Sequence, residues 1–173
     1  MKYFIFFDMD GVLTPQAQAL QLAETIGKKS QAMKVFAGQL RKHVGLEWIL
    51  SKGAKFISGQ PQSVLRETAQ KMLITKSVRE TITQLKEASY QPVIVTNGFE
   101  EIARDFGKRI GIDEVYGNSP DMRDGILTGE LRDTKLLTLK SKGDFVRNYS
   151  KEKGIVKRNT VAVGNIRIKN HRN

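Results

Sequence analysis

Two carboxylates follow an apolar run near the start of the chain. The run Tyr3–Phe7 is aromatic and β-branched without alternation, which predicts a strand buried on both faces. Asp8 and Asp10 come next, and Gly11 lets the backbone turn directly after them. Open α/β sheets bind ligands at the carboxyl ends of their strands, so this pair marks a candidate site. The alternative is a strand that ends in an ordinary Asp-Gly turn.

The spacing of the two acids suits phosphoryl transfer. Successive side chains of an extended segment point in different directions, so one acid can face a substrate and a metal while the other approaches from the side. Asp8 would then be the nucleophile that attacks phosphorus. Asp10 would be the general acid and base that handles the proton on the leaving oxygen.

Two further stretches could bind an anion. Thr96–Gly98 follows a predicted buried strand, Pro92–Val95, and opens a predicted helix, where a hydroxyl and free backbone N–H groups favour an anion. The alternative is a Thr or Asn N-cap. Lys142 lies at the start of another predicted helix, where its ammonium opposes the helix dipole unless a phosphate binds there. The alternative is a surface lysine, and Lys140 competes for the same role.

A helical insertion is predicted directly after the first strand. Apolar residues at helical spacing begin at Ala19, a second stripe includes Met33 and Phe36, and Pro61 is placed to open a third helix. No strand of the main sheet is predicted between residues 16 and 75. We therefore expect a small helical cap over residues 16–75, and an α/β core over residues 1–15 and 76–173.

The rest of the chain predicts a Rossmann-like core. Strands at 92–95, 114–118 and 160–163 alternate with helices, which indicates a parallel, doubly wound sheet. Ser77–Glu80 has the pattern of a capping box. Gly125–Leu131 has the glycine spacing of a β-hairpin, and Ser141 is placed to cap the last helix.

Composition limits the class of protein. The chain has 173 residues, 39% hydrophobic and 27% charged, which is typical of a soluble globular protein. We expect a cytoplasmic protein without membrane association, because no apolar run is long enough to span a bilayer. Cysteine is absent, so disulfides and thiolate metal sites are excluded. The net charge of +11 is spread along the chain, which favours a solvated cationic surface over nucleic-acid binding and would also steer phosphorylated substrates.

Four stretches together resemble the haloacid-dehalogenase-like hydrolases. Asp8–Val12 is similar to the family's first motif, and Thr96 matches the hydroxyl residue of the second. Lys142–Phe145 resembles the third motif, and Val161–Gly164 resembles the strand before the fourth. The resemblance implies phosphomonoester hydrolysis that depends on Mg²⁺ and passes through an aspartyl-phosphate, with Asp10 binding the metal through its backbone carbonyl.

The fourth motif departs from the family pattern. Asn165 stands where the family places an aspartate of the Mg²⁺ site, and no acid follows before Asn173. Asparagine offers only a neutral carbonyl, so the implied ligands, Asp8, Asp10 and Asn165, form a weakened metal site. One explanation is a catalytically impaired relative that binds phosphate. The other is an end altered by truncation or frameshift, which the patternless tail Ile166–Asn173 favours.

Within the family, the chain most resembles the phosphoserine phosphatase-like group. The shared features are the early helical cap, Asn97–Glu100, Asp124–Gly129 and the Lys142-Gly143 pair. Where that group reads an amino acid with a cap glutamate and arginine, this chain has Ala17 and His43. Phosphoserine is therefore a possible substrate whose reader residues are unmatched, and the expected substrate is a small phosphorylated metabolite.

The resemblance gives a complete candidate site. The catalytic residues are Asp8 and Asp10, the phosphate-binding residues are Thr96, Asn97, Gly98 and Lys142, the metal ligands are Asp8, Asp10 and Asn165, and the cap residues near the substrate are His43, Met33 and Phe36. The alternative for His43 is a buried or surface residue of the cap, and Met33 and Phe36 are expected first of all to be core residues of the cap.

Overall fold

A five-stranded sheet forms the centre of the molecule. The computed structural model describes residues 3–42, 46–133 and 139–164. The order of strands in the sheet is β4-β3-β2-β1-β5. The strands are β1 (Tyr3–Phe7), β2 (Tyr90–Phe99), β3 (Glu114–Arg123), β4 (Ile126–Asp133) and β5 (Thr160–Val163). All neighbouring pairs are parallel except β3 with β4, which confirms the predicted α/β class.

The first strand is buried on both faces, as its unbroken apolar run predicts. Ile5 and Phe7 enter the larger hydrophobic core on one face. Phe4 and Phe6 enter a smaller core on the other face, where Tyr149 packs edge-on against both rings. Because β1 lies between β2 and β5, its carboxyl end is surrounded by the ends of two parallel neighbours.

Seven helices accompany the sheet in the described part of the chain. They are α1 (Gln18–Thr25), α2 (Lys29–Lys42), α3 (Leu46–Phe56), α4 (Ser63–Lys71), α5 (Val78–Glu87), α6 (Glu100–Ile110) and α7 (Leu139–Glu152). The first four form one helical segment, residues 18–71, between β1 and α5. Among the described helices, none combines the length and the apolar character needed to cross a bilayer.

Three backbone hydrogen bonds join the helical segment to β4 and to the turn before it. Gly59 N–H donates to Leu127 O (2.8 Å), Leu127 N–H to Gln60 O (2.9 Å) and Gln62 N–H to Gly125 O (2.8 Å). The predicted hairpin over 125–131 is wrong in extent, because residues 126–131 belong to the single strand β4. The turn lies at Asp124-Gly125, both with positive φ, and β3 is the other arm.

Two predicted helix starts are wrong, and so is the predicted capping box at Ser77, although α5 does begin at Val78 as that box predicts. Ser77 does not form a capping box, since it adopts a left-handed conformation (φ 64°) and makes no side-chain cap hydrogen bond. Helix α7 begins at Leu139 rather than after Ser141, and α4 begins at Ser63 rather than at Pro61.

Candidate active site

Asp8 lies directly beyond the end of β1. Its N–H donates to Val163 O of β5 (2.9 Å), which extends the parallel pairing by one residue. The chain then turns sharply, because the N–H groups of Leu13 and Thr14 both donate to Met9 O (3.0 and 3.2 Å). Gly11 takes the positive φ (72°) that this turn requires. The predicted strand and turn therefore hold Asp8 at the carboxyl edge of the sheet.

Lys142 forms an ion pair with Asp8. Its ammonium nitrogen is 2.7 Å from Asp8 Oδ1, and the Met9 N–H donates to the same oxygen at 2.8 Å. The side chains are only 16% and 18% exposed, so solvent screens the pair less than it screens a surface pair. Among the described residues, the hydrogen bonds of the Asp8 carboxylate therefore converge on Oδ1.

Helix α7 is positioned by aromatic packing. Tyr149 lies two turns after Lys142, on the same face of the helix, and its ring centroid is 5.4 Å from that of Phe6 in β1. Its hydroxyl donates to Glu114 Oε1 of β3 (2.6 Å). The sheet thereby fixes the helix that carries Lys142.

Asp10 is a carboxyl group with an altered proton affinity. Burial raises the pKa of Asp10 from 3.8 to about 6. The backbone N–H of Gln18, which donates to Asp10 Oδ1 (3.2 Å), lowers the pKa, the Asp8 carboxylate raises it and the Lys142 ammonium lowers it. The resulting group can exchange a proton near neutral pH.

Thr96 is buried near the end of β2, the strand beside β1. It is 1% exposed, and its Oγ1 accepts the Gly98 N–H at 3.0 Å. Strand β2 continues to Phe99, and α6 begins at Glu100 with Phe99 at its N-cap. The alternative of a Thr or Asn N-cap is therefore wrong. So is the expectation of free N–H groups, since those of Gly98 and Phe99 are already donors.

Two residues that the sequence analysis missed hold the 96–99 loop. The Gln18 side chain, 2% exposed, accepts the Phe99 N–H (2.5 Å) and donates to Phe99 O (3.2 Å). Asn118 is fully buried, and its Nδ2 donates to Asn97 O (2.7 Å). Gln18 lies one turn before Leu22 on the apolar face of α1. A polar residue on an apolar face is the signal that could have identified it.

Of the three predicted cap side chains, the structure describes only that of Met33. Met33 is 49% exposed, so its assignment as a core residue is wrong, and the neighbouring Ala32 is buried instead. Phe36 lies in α2, but its side chain is outside the described residues, as are His43 and Asn165. Ala17 precedes α1 as its N-cap residue and makes no side-chain cap bond.

The donors beside Asp8 suit a hard cation. Mg²⁺ in proteins is commonly held by one or two carboxylates together with water and substrate phosphate. The Asp8 carboxylate and the backbone carbonyl of Asp10 are oxygen donors of that kind. Within residues 3–42, 46–133 and 139–164, no cluster of three or more acidic or histidine side chains supplies a larger set of ligands.

Comparison with known proteins agrees with this geometry. The family model described as haloacid dehalogenase-like hydrolase matches residues 5–167. The chain belongs to the haloacid dehalogenase-like hydrolase family. The resemblance predicted from Asp8, Thr96, Lys142 and the strand at 161–164 is thus confirmed at the level of the family.

The relatives of this haloacid dehalogenase-like hydrolase include phosphoserine phosphatases. One from Archaeoglobus fulgidus is 28% identical over 163 residues, which cover 94% of this chain and 47% of that protein. One from Methanocaldococcus jannaschii is 26% identical, with coverage of 94% and 77%. The chain thus spans about half of the first relative and about three quarters of the second.

A solved structure shares the fold. It is described as a phospho-aspartyl intermediate analogue of phosphoserine phosphatase, with a TM-score of 0.81 and 26% identity. The aligned region covers 95% of this chain and 78% of that chain. The predicted similarity to the phosphoserine phosphatase-like group is confirmed.

Proposed function

We propose that this family member is a Mg²⁺-dependent phosphomonoester phosphatase that acts through an aspartyl-phosphate on a small phosphorylated metabolite. The observation that carries the proposal is the shielded ion pair of Lys142 with Asp8 at the carboxyl end of β1. A similar solved structure, described as a phospho-aspartyl intermediate analogue, adds support for the covalent step.

Asp8 is the proposed nucleophile. Lys142 and the Met9 N–H hold Oδ1, which orients the carboxylate and presents Oδ2 for in-line attack on phosphorus. The new bond joins Oδ2 to phosphorus, and the bond from phosphorus to the leaving oxygen breaks. The Lys142 ammonium offsets negative charge that gathers on the phosphoryl oxygens.

Asp10 is the proposed proton carrier. With its pKa raised to about 6 by burial, a useful fraction of the carboxyl is protonated near neutral pH and can donate to the leaving oxygen. The resulting carboxylate then takes a proton from the water that cleaves the aspartyl-phosphate. The two steps return Asp8 and Asp10 to their starting states.

The loop at the end of β2 is the proposed phosphate site. Thr96 contributes its hydroxyl, and Asn97 and Gly98 bring the backbone close to the phosphoryl oxygens. The bound Mg²⁺, held by Asp8 and the Asp10 carbonyl, would offset the repulsion between the carboxylate and the phosphoryl group. The helical segment is the proposed cap, residues 16–75, which excludes water during the first step.

Phosphoserine is one candidate within the proposed substrate class, since the two relatives are named phosphoserine phosphatases. Ala17 has no carboxylate to meet an ammonium, so a substrate without an amino group fits this position equally well. The comparisons give no support to the alternative of an impaired phosphate-binding relative. The predicted cytoplasmic location stays a prediction.

Hydrolysis of p-nitrophenyl phosphate with and without Mg²⁺ tests the proposal. We expect turnover that needs the metal and that Asp8→Asn abolishes, because an amide cannot form the aspartyl-phosphate. Retention of full activity by Asp8→Asn would exclude Asp8 as the nucleophile. Binding of inorganic phosphate without any turnover by the unmodified chain would instead favour the impaired relative.

A further inference from the structure

We propose that Gln18 is a positioning residue that fixes the phosphate loop, residues 96–99, relative to the general acid Asp10. The inference rests on the proposed function of that site. Gln18 is the first residue of α1 and is 2% exposed. It is 81 residues from Phe99 in sequence, so the contact is a product of the tertiary fold.

The Gln18 side chain binds the backbone of the loop at two points. Oε1 accepts the Phe99 N–H at 2.5 Å, and Nε2 donates to Phe99 O at 3.2 Å. Both ends of one amide thus satisfy both polar groups of one buried residue. An apolar side chain would leave these backbone groups buried without partners, which is costly.

The same residue contacts the other half of the site through its backbone. The Gln18 N–H donates to Asp10 Oδ1 at 3.2 Å, and Nε2 is 3.7 Å from Met9 Sδ. Gln18 therefore connects the loop that carries the two acids with the loop that follows Thr96. A shift of its side chain changes the distance between the proton carrier and the bound phosphoryl group.

Gly98 leaves the space that the Gln18 side chain occupies. A Cβ built on Gly98 would lie 2.2 Å from Gln18 Oε1 and 2.6 Å from its Cδ. The Gln18 side chain could move aside only by breaking its hydrogen bonds to Phe99. An alanine at position 98 should therefore act by displacing Gln18, and the two positions should be energetically coupled.

The test compares Gln18→Met with Gln21→Met in the full chain. Both remove a buried glutamine from α1, and Gln21 bonds to Gln16 rather than to the site. For Gln18→Met we expect kcat with p-nitrophenyl phosphate to fall by about 10²-fold, since small misplacements of reacting groups have effects of that size. For Gln21→Met we expect kcat to stay within about twofold of the unmodified chain.

Amide exchange separates positioning from general loss of stability. In Gln18→Met the Phe99 amide should exchange at least about tenfold faster than in Gln21→Met, because it has lost its acceptor. The affinity for inorganic phosphate should fall in the same variant. In a double-variant cycle, Gly98→Ala should lower kcat strongly alone but add little to Gln18→Ala.

Three results would overturn the inference. They are a kcat for Gln18→Met equal to that for Gln21→Met, an unchanged exchange rate of the Phe99 amide, and independent effects in the Gly98→Ala cycle. If the unmodified chain hydrolyses no phosphomonoester, the proposed function fails separately. The Phe99 amide and the affinity for inorganic phosphate then still decide the role of Gln18.

Discussion

The ammonium of Lys142 lies 2.7 Å from Oδ1 of Asp8, although 134 residues separate the two in sequence. The contact forms because β1 ends between β2 and β5, while α7 is held against that sheet by Tyr149. A lysine in the first turn of a helix is unfavourable for the helix dipole. The negative charge of the Asp8 carboxylate offsets this unfavourable position of the Lys142 ammonium.

Lys142→Met should nearly abolish turnover. Loss of the ammonium removes both the partner of Asp8 and a charge that stabilises the transition state, so we expect kcat to fall by about 10²–10³-fold. Steady-state hydrolysis of p-nitrophenyl phosphate measures the effect. Lys151→Met, an exposed position near the end of α7, should leave kcat unchanged, and equal effects at both positions would contradict the assignment.

Thr96→Val should weaken phosphate binding more than it destabilises the fold. Valine keeps the shape but removes the hydroxyl that accepts the Gly98 N–H, so we expect kcat/KM to fall about tenfold or more. The control is Thr68→Val in α4, which removes a buried hydroxyl bonded to Val64 O. We expect the two variants to lose similar stability but Thr96→Val to lose more of kcat/KM. Equal values of kcat/KM for the two variants would contradict a role of Thr96 in phosphate binding.

Asp10→Asn should stabilise the metal-free protein above pH 6. The folded-state pKa of about 6 exceeds 3.8, so between these values the folded state binds more protons than the unfolded state. The contribution of Asp10 to stability is full below pH 3.8 and is lost as the pH rises to 6. Denaturant unfolding in chelator should show the variant gaining about 1–3 kcal/mol relative to wild type from pH 4 to 7. A difference that is constant with pH would contradict the raised pKa.

Tyr149→Phe should lower the free energy of unfolding by about 1–3 kcal/mol. Glu114 accepts hydrogen bonds from Tyr149, Tyr116 and Gln91, and the variant removes the shortest of the three. Burial and the Glu114 carboxylate raise the pKa of Tyr149, so this bond persists to high pH. Denaturant unfolding measures the loss.

Tyr90→Phe is the control for the Tyr149 variant. In the part of the chain that the structure describes, the Tyr90 hydroxyl makes no hydrogen bond, although its ring packs on Tyr3. Its loss should change stability by less than about 0.5 kcal/mol. If both variants lose the same stability, the hydroxyl of Tyr149 is not what supports α7.

The strands that carry the site could be located from their apolar runs, but only β1 and the middle of β2 are buried, whereas Val161 of β5 is 41% exposed. Tyr3–Phe7 and Thr160–Val163 match β1 and β5 as predicted. The sequence predicts that Asp8 and Thr96 lie at the same edge of the sheet, since neighbouring parallel strands have their carboxyl ends there. The ion pair with Lys142 could be expected only from the family resemblance.

The errors have two physical causes. Helix α4 begins two residues after Pro61 and α7 two residues before Ser141, because the type of a single residue fixes a helix end only to within one or two positions. The roles of Gln18 and Asn118 were missed for a different reason. Their hydrogen-bond partners are backbone atoms of residues 97–99. Every residue has such backbone groups, so the types of the side chains do not indicate which of them a distant side chain will bind.

The backbone bonds of residues 59–62 tie one end of the helical segment to β4 and to the turn before it. At the other end, α1 bonds to Asp10 and Phe99. Moving this segment away from the sheet as one body would break hydrogen bonds at both of its ends, so it is anchored twice, unlike a flap that is attached by a single hinge.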